Sequence, residues 1–557
     1  MPADLIVHNA KVWTGNRAQP SAEAVAVRGG RIEAVGGDAD VRRLAGPRTE
    51  TIDAKGRLVL PGFIDAHVHF LSGGQALLGV DLRSARDERE FAGMLRRHVE
   101  RTPPGEWITG GRWDHEAWPG RRRPTRQLID PFAARHPVLL QRLDGHMALA
   151  DSAALTAAGV GRGTPDPAGG RIERDAHGEP TGILIDTALE LVWRVIPPPS
   201  EEHLLRAARA AMAHAAKLGV TSVHSPVDAQ QFQLLRRLAE RGELATRVYA
   251  MPELGCWKQL RAAGFLSRRD GGVAGREPRH PEEQGRDALG TQGRDALATP
   301  VPMLRAQCVK LFADGSLGAG SALFSEPYAD NPSSTGLAIH TEEELHRIVM
   351  EIDAAGLQAA LHAIGDKAVR WALDAFEQAG TRSGRRDARH RIEHAQMVQP
   401  ADRARFASLG VIASIQPSHC IDDMRWVERR MGERTKWAYP YRRLLAAGAR
   451  VALGTDWPVE TLDPMLTLYA AVTREFPQGG PPGGWHGEER VSIEEAVHAY
   501  TLGAAFAEFQ ENAKGAVEPG RLADLVILSQ DILTIPPRDI LSTRAEVTIL
   551  GGQVIHP

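Results

Sequence analysis

Cysteine is scarce in this sequence, and its scarcity narrows the class of protein. Only Cys256, Cys308 and Cys420 occur among 557 residues, far apart and without a Cys-x-x-Cys pair. The sequence therefore offers neither a disulfide framework nor a thiolate zinc site, which is typical of a reducing compartment. We expect a cytoplasmic protein.

Long apolar runs and an excess of charge of one sign are also missing. No uninterrupted apolar stretch approaches the ~20 residues of a membrane helix, and the first residues lack the basic and apolar regions of a signal peptide. The 67 Lys and Arg nearly balance the 70 Asp and Glu. A solvated surface turn explains the densest basic run, 121–123. We therefore expect no nucleic-acid or membrane partner.

Both ends of the chain carry short β-prone runs separated by paired glycines. Gly29 and Gly30 lie between two such runs near the start, and Gly551 and Gly552 do so near the end. β-prone runs on either side of Gly-Gly predict a hairpin. We expect residues 1–61 and 485–557 to form one small composite β-sandwich, completed when the two ends meet.

Between these ends, apolar strand-like runs alternate with helical patterns, which predicts an α/β fold with a parallel sheet. Eight such strands predict a (β/α)8 TIM-type barrel, which we place at residues 62–484. The alternative is a doubly wound open sheet, but no Gly-x-Gly-x-x-Gly follows the first strands. The first predicted strand leads into His67, and the others are 220–224, 246–250, 308–312, 358–362, 391–394, 411–415 and 450–454. Amphipathic stretches at 203–218 and 342–355 predict connecting helices.

Two long interruptions break this alternation. Roughly 150 residues separate the first and second strands, although ~30 suffice for a βαβ unit. The stretch has strand-like runs of its own at 107–109 and 138–140. Because it leaves the catalytic end of a barrel strand, we expect residues 70–200 to form a lid or substrate-contacting subdomain. The second interruption, 268–300, is polar and holds the tandem repeat GRDALGT and GRDALAT, so we expect a flexible loop there.

His67 and His69 give the first functional signal. They are two residues apart at the end of the first predicted strand, and side chains at that spacing in a strand point to the same face. Two imidazoles placed in this way can bind one metal ion in their neutral form. Without further residues, the pattern is explained equally well by two histidines that make ordinary hydrogen bonds and bind no metal.

Further polar residues lie at the C-terminal ends of later strands. Lys310 lies in the fourth strand, His362 and His394 end the fifth and sixth, and Asp456 follows the eighth. Active sites of such barrels form at this end, so we expect these side chains to meet His67 at a metal site. Individually, each histidine could bond a neighbouring carbonyl, and the aspartate could cap a turn.

Lys310 is unusual because Val309 and Leu311 flank it, and an unpaired buried cation is costly. The ammonium could pair with Asp314 or Asp456. In the alternative, burial lowers the pKa of the amine. The neutral amine then takes up carbon dioxide to form a carbamate, an anionic ligand able to bridge two metal ions.

Six short segments of the sequence form a distinctive set. They are 60–69 (LPGFIDAHVH), 142–146 (RLDGH), 309–316 (VKLFADGS), 361–366 (LHAIGD), 391–395 (RIEHA) and 454–458 (GTDWP). Together they resemble the metal-dependent amidohydrolase superfamily, and within it the YtcJ-like branch that includes N-substituted formamide deformylases. The resemblance covers essentially the whole chain, and no single segment would carry it.

The resemblance implies a metallated barrel joined to a composite β-sandwich. It implies one or two divalent ions, with zinc as the default and Mn, Fe or Co as alternatives for the same ligands. Lys310 matches the family's N6-carboxylated lysine. The positions that match metal ligands are His67, His69, His362, His394 and Asp456.

The implied reaction is hydrolysis of an amide-type carbon–nitrogen bond, in an N-substituted formamide, an N-acyl compound or a cyclic amide. A metal-activated water would attack the carbonyl, with Asp456 as general base and then general acid. We expect a small-molecule substrate and leave a monomer and a homodimer open. Residues that could contact the substrate, each explained equally well by packing, are Trp113, His115, His146, His224 and Trp457.

Three rival functions share parts of this pattern. Deaminases of the family usually carry a glutamate three residues after the strand-five histidine, where this chain has Gly365, and they lack the lysine. A non-catalytic relative would lose ligands, whereas all six are kept here. An esterase, lactonase or phosphotriesterase would use the same water against a different bond, and the sequence does not separate these from an amidase.

Overall fold

The chain divides into two compact units. The computed structural model describes residues 1–115, 118–142, 147–167, 170–266, 301–318, 320–384 and 387–557. The first unit comprises Met1–Phe70 and Met212–Pro557, and the second comprises Leu71–Ala211. The loop predicted at 268–300 lies outside the described residues. Among the described helices, none combines the length and apolar character needed to cross a bilayer.

The strands are numbered in chain order. They are β1 (Leu5–His8), β2 (Lys11–Trp13), β3 (Ser21–Ala22), β4 (Ala24–Arg28), β5 (Arg31–Gly36), β6 (Glu50–Asp53), β7 (Leu58–Pro61), β8 (Phe63–Asp65), β9 (Val80–Asp81), β10 (Ile108–Trp113), β11 (Val138–Arg142), β12 (Met147–Ala150), β13 (Gly170–Arg174), β14 (Pro180–Asp186), β15 (Val220–Val227), β16 (Arg247–Pro252), β17 (Leu304–Ala306), β18 (Cys308–Phe312), β19 (Gln358–Ala363), β20 (Arg391–His394), β21 (Ile412–Ile415), β22 (Arg450–Leu453), β23 (Leu525–Leu528), β24 (Ala545–Leu550) and β25 (Gln553–His556).

The α-helices are numbered in the same way. They are α1 (Asp38–Arg42), α2 (Phe70–Leu78), α3 (Glu88–Val99), α4 (Arg126–Ala133), α5 (Ser152–Ala157), α6 (Glu190–Trp193), α7 (Glu201–Lys217), α8 (Ala229–Glu240), α9 (Trp257–Ala262), α10 (Glu342–Ala354), α11 (Asp366–Ser383), α12 (Pro400–Ser408), α13 (Pro417–Asp423), α14 (Val427–Met431), α15 (Tyr441–Ala446), α16 (Pro464–Thr473), α17 (Ile493–His498) and α18 (Ala504–Ala507).

Two parallel sheets form the centre of the first unit. Their strand orders are β17-β16-β15-β8 and β18-β19-β20-β21-β22, and every neighbouring pair within them is parallel. The structure has a strand at each position predicted for the second to eighth strands. The helices predicted at 203–218 and 342–355 are present as α7 and α10. The predicted α/β pattern is thus confirmed.

Backbone contacts also connect segments that follow strands of one parallel sheet with residues in or after strands of the other. Isolated parallel bridges pair Glu253 with Lys310 and Val68 with Trp457. The amide of His69 donates to the carbonyl oxygen of Trp457 at 2.7 Å. The residues after β8 therefore lie beside those after β22.

The apolar run before His67 forms two strands, where we predicted one. β7 pairs with β2 and β23, whereas β8 pairs with β15. The chain changes sheet at Gly62, where a Cβ atom would lie 2.3 Å from the side chain of Thr221, so only glycine fits. His67 and His69 consequently lie beyond β8, in the segment that follows the strand.

Strands from the two chain ends share a sheet. The six-stranded sheet has the order β25-β24-β23-β7-β2-β3, and a four-stranded sheet has the order β5-β4-β1-β6. The predicted glycine hairpins are confirmed, because β4 pairs antiparallel with β5 and β24 with β25. Residues of both sheets, including Leu5, Val27, Val59, Leu525 and Ile549, belong to one buried apolar cluster.

The second unit is built on its own six-stranded sheet of order β13-β14-β12-β11-β10-β9. The strand-like runs predicted at 107–109 and 138–140 lie in or beside β10 and β11, which pair in parallel. Phe91, Trp113, Trp118 and Leu140 belong to one buried apolar cluster of this unit. This stretch therefore has a hydrophobic core of its own.

A buried ion pair fastens the C-terminal strands to the parallel sheet of the first unit. Arg247, the first residue of β16, binds Asp524 through two hydrogen bonds of 2.7 and 2.9 Å, and both side chains are buried. The amide of Gly551 donates to the same carboxylate at 2.8 Å. Removing one partner would leave the other charge buried without compensation.

We predict that Arg247→Met lowers the free energy of unfolding by about 3–5 kcal/mol, the usual cost of breaking a buried pair. Urea unfolding followed by circular dichroism measures this. Arg43→Met is the control, because its pair with Asp40 is exposed and contributes at most about 1 kcal/mol. Equal unfolding midpoints for the two variants would contradict the prediction.

Candidate metal centre

His67, His394 and Asp456 form a buried group whose ligand atoms lie within 4.8 Å of one another. Nε2 of His67 and Nε2 of His69 each lie 3.4 Å from Oδ1 of Asp456, which is longer than a normal hydrogen bond. Ligand atoms about 2.0–2.1 Å from one tetrahedral zinc ion are about 3.4 Å apart. The spacing therefore fits donors that share a metal ion.

Parallel strand pairing brings His362 to the same place. In β19 and β20, His362 pairs with Glu393 and Ala363 pairs with His394. The rings of His362 and His394 are 4.4 Å apart between centroids, and those of His67 and His394 are 5.3 Å apart. His67 and His69 thus lie beside Asp456, and His67 and His362 lie beside His394.

Two members of the group have left-handed backbone conformations, one in the last residue of β20 and one three residues after the end of β22. His394 has φ of 77° and Asp456 has φ of 60°. Such values are uncommon in residues with a Cβ atom and cost about 1–3 kcal/mol each, so the surrounding structure must enforce them. Backbone strain of this kind is concentrated at functional sites.

In three of the four histidines, one ring nitrogen lies close to an oxygen atom of a neighbouring residue. Nδ1 of His67 lies 2.8 Å from Oε2 of Glu393, and Nδ1 of His394 lies 2.8 Å from Oε1 of Gln416. Nε2 of His362 lies 3.1 Å from the carbonyl oxygen of Gly315. These contacts leave the other nitrogen of each ring for a metal ion, as in other metal sites.

The ionisation states also suit a cation. Burial lowers the pKa of His67 to about 4 and that of His362 to about 3. Burial opposes ionisation of Asp456, but the imidazoles of His69 and His67 outweigh it and hold its pKa well below the usual range. Neutral imidazoles and an ionised carboxylate are the forms that bind metal. The donor set, with its nitrogen and oxygen atoms, fits a divalent transition ion.

Lys310 is buried beside this group. Its Nζ makes no hydrogen bond within the part of the chain that the structure describes, and burial lowers its pKa to about 8, against the opposing effects of Glu393 and Asp456. Asp314, one partner suggested by the sequence, instead accepts hydrogen bonds from the amides of Leu323, Ile364 and Gly365. Neither predicted ion pair of the lysine is formed as a hydrogen-bonded contact.

The residues predicted to contact substrate lie in different surroundings. Trp457 is buried, with its ring 6.4 Å from Phe70 and 5.6 Å from His214 between centroids. His224 is buried in β15, with Nδ1 2.9 Å from Arg391 and Nε2 3.3 Å from Glu508. The structure therefore supports the packing alternative for His224.

The other three residues predicted to contact substrate belong to the insertion. Trp113 is fully buried in the core of the second unit, and its indole nitrogen donates to the carbonyl oxygen of Leu140 at 2.8 Å. This environment supports the packing alternative for Trp113. The ring of His115 lies 5.8 Å from that of Trp113. His146 lies outside the described residues.

Sequence reasoning missed Glu393 and His419. All four residues of β20 are buried, including Arg391 and Glu393, and two charges within a buried strand are a signal that the sequence could have given. Sequence spacing offers no comparable signal for His419, which lies on α13, a short helix that follows β21.

The chain matches known proteins along its whole length. The amidohydrolase family model matches residues 50–556. Protein LONG AFTER FAR-RED 3 of Arabidopsis thaliana is 36% identical, over 100% of this chain and 92% of the relative. The putative amidohydrolase YtcJ of Bacillus subtilis is 31% identical over 99% of each chain. The N-substituted formamide deformylase of Arthrobacter pascens is 30% identical, over 99% of this chain and 97% of the relative.

A solved structure agrees with these matches. The crystal structure of an uncharacterized metal-dependent hydrolase from Pyrococcus horikoshii superimposes with a TM-score of 0.76 at 30% identity. The match covers 96% of this chain and 99% of the other. The resemblance that the six segments suggested is confirmed.

Glu393 links the candidate metal centre to a second buried charge. Besides its contact with His67, its carboxylate accepts hydrogen bonds from the guanidinium of Arg391. Burial opposes ionisation of Glu393, but Arg391 and His67 together hold its pKa well below the usual range. A carboxylate on Nδ1 fixes the tautomer of His67 and makes Nε2 a stronger ligand.

We predict that Glu393→Gln weakens zinc binding by about 10–100-fold, the usual effect of losing such a partner of a ligand. Competition with a fluorescent zinc chelator measures the affinity, and circular dichroism checks that the variant is folded. Glu343→Gln, at an exposed position on α10, is the matched control. Unchanged zinc affinity in folded Glu393→Gln would refute the role assigned to this carboxylate.

Proposed function

We propose that this chain, which belongs to the amidohydrolase family and is a hydrolase acting on carbon–nitrogen bonds, cleaves amide-type bonds at the centre around Asp456. The proposed metal ligands are His67, His69, His362, His394 and Asp456. The observation that supports this most strongly is the 3.4 Å separation of Oδ1 of Asp456 from two imidazole nitrogens. That separation suits a shared cation better than a hydrogen bond.

Asp456 is the proposed acid–base group. A divalent ion bound here would lower the pKa of a water molecule and polarise the carbonyl group of the substrate. The carboxylate, ionised because of its imidazole neighbours, accepts the proton of the attacking water. It then passes that proton to the nitrogen of the leaving amine.

The proposed substrates are N-substituted formamides, N-acyl compounds or cyclic amides. The formamide deformylase of Arthrobacter pascens, similar over 99% of this chain, supports the first of these. We propose zinc as the metal because its preferences suit nitrogen and carboxylate ligands. Gly365 occupies the position at which deaminases of the family carry a glutamate. Even a Cβ atom there would lie 2.0 Å from the carbonyl oxygen of Leu323, so a glutamate has no room and deamination is disfavoured.

We also propose the finer architecture that the sequence suggested. The isolated bridges Glu253–Lys310 and Val68–Trp457 support closure of the two parallel sheets into one eight-stranded barrel. The sheet shared by the two chain ends supports a composite β-sandwich. The insertion, which has its own core, would act as the lid or substrate-contacting part.

Lys310 is the proposed second anionic ligand. Its pKa of about 8 and its lack of a hydrogen-bond partner among the described residues suit a neutral amine that reacts with carbon dioxide. An ammonium there would repel a bound cation, whereas N6-carboxylation would add a negative charge and two oxygens. A carboxylated Lys310 supports two ions instead of one.

Removing the metal should abolish hydrolysis and leave the fold intact, because the first unit has its own apolar core. The protein is dialysed against a chelator, and formanilide, an N-acetyl amino acid, a cyclic amide and δ-valerolactone are then assayed before and after adding zinc. Circular dichroism monitors the fold. Full turnover by metal-free protein would refute the proposal, and turnover of the lactone alone would identify an esterase-type enzyme.

Lys310→Ala should lower zinc content and turnover together, with partial recovery of both when acetate is added as a substitute carboxylate. Elemental analysis and the amide assay measure the two effects. Lys11→Ala is the control, because this lysine is exposed. Full zinc occupancy and normal rates in Lys310→Ala would leave a single-ion site, in which His394 would contact substrate instead.

A further inference from the structure

His419 lies next to the candidate metal centre but is not one of the proposed metal ligands. It belongs to α13, which follows β21, the strand between those that precede His394 and Asp456. Its ring stacks on the ring of His394, with centroids 5.8 Å apart and planes inclined by 14°. The side chain of His419 is only 11% exposed. The imidazole is therefore fixed against a residue of the site.

The outer nitrogen of this imidazole points toward the second oxygen of Asp456. Nε2 of His419 lies 3.8 Å from Oδ2 of Asp456, too far for a hydrogen bond. Within the described chain this nitrogen is buried and has no hydrogen-bond partner. Oδ1 of the same carboxylate faces His67 and His69. A buried, unsatisfied ring nitrogen is costly unless something binds to it.

Gln396 favours one tautomer of the His419 ring. Nε2 of Gln396 lies 3.2 Å from Nδ1 of His419, and an amide nitrogen can only donate. Nδ1 therefore accepts, and in the neutral ring the hydrogen is on Nε2. His419 thus presents an N–H donor beside Asp456.

We infer that His419 is a further catalytic residue, which donates a hydrogen bond from Nε2 to the carbonyl oxygen of the bond being cleaved. This inference rests on the proposed function, because it requires an amide substrate whose carbonyl oxygen accepts the hydrogen bond. Asp456 takes the proton of the water, and His419 stabilises the negative charge that develops on the carbonyl oxygen. A fixed donor of this kind acts most strongly in the transition state.

The test compares three variants of the zinc-loaded full chain, assayed on formanilide and on δ-valerolactone. His419→Phe keeps an aromatic ring against His394 and removes the donor, whereas His419→Gln keeps an N–H donor. His556→Phe, in β25, is the control. Zinc content and thermal stability are measured for each variant, so that loss of a ligand or of the fold is separated from loss of the hydrogen bond.

We expect His419→Phe to lower kcat on the order of 100-fold, the usual effect of removing one such donor. Zinc content, stability and the control should stay unchanged, and His419→Gln should recover part of the rate. Wild-type kcat in His419→Phe would overturn the inference, as would zinc loss in proportion to the rate, which would make His419 a ligand. If the wild-type protein hydrolyses the lactone but not the amide, the proposed function is refuted. The change in kcat of His419→Phe on the lactone then tests the inference separately.

Discussion

Parallel pairing of neighbouring strands is the constraint on which the candidate centre depends. The register that sets Ala363 opposite His394, together with the bridge between Val68 and Trp457, brings distant parts of the chain to one end of the strands. A slip of one residue would turn a histidine to the opposite face of its sheet. The apolar strands therefore do more than fill a core, because their register fixes which polar side chains meet.

Burial then decides which polar atoms are satisfied by the protein itself. The carboxylate of Glu393 accepts two hydrogen bonds from the guanidinium of Arg391 and lies 2.8 Å from Nδ1 of His67, so this buried charge is paired with an opposite charge. By contrast, Oδ1 of Asp456 and Nζ of Lys310 have no hydrogen-bond partner in the described chain. Unsatisfied buried polar atoms are costly, and a bound cation and a carbamate would satisfy them. Both of these unsatisfied atoms belong to residues that the proposed chemistry uses.

The sequence identified much of this arrangement because strand ends and spacing are local signals. It predicted strands two to eight and the polar residues near their ends, but not that the run before His67 divides into two strands at Gly62, which packs against Thr221 from a distant strand. The sequence also did not indicate Glu393, because successive side chains of a strand point to opposite faces of the sheet, and Glu393 directly precedes His394. The left-handed conformation of His394 breaks that rule, so Glu393 and His394 both lie against His67. The position of His419 depends on packing across strands, which no spacing in the sequence encodes.

Anomalous diffraction tests most directly whether His67, His394 and Asp456 bind a metal ion. Crystals of the zinc-loaded protein would be measured on both sides of the zinc absorption edge. We expect a strong anomalous peak about 2.0–2.2 Å from Nε2 of His67 and from the carboxylate of Asp456. Zinc peaks found only elsewhere, with none between these residues, would contradict it.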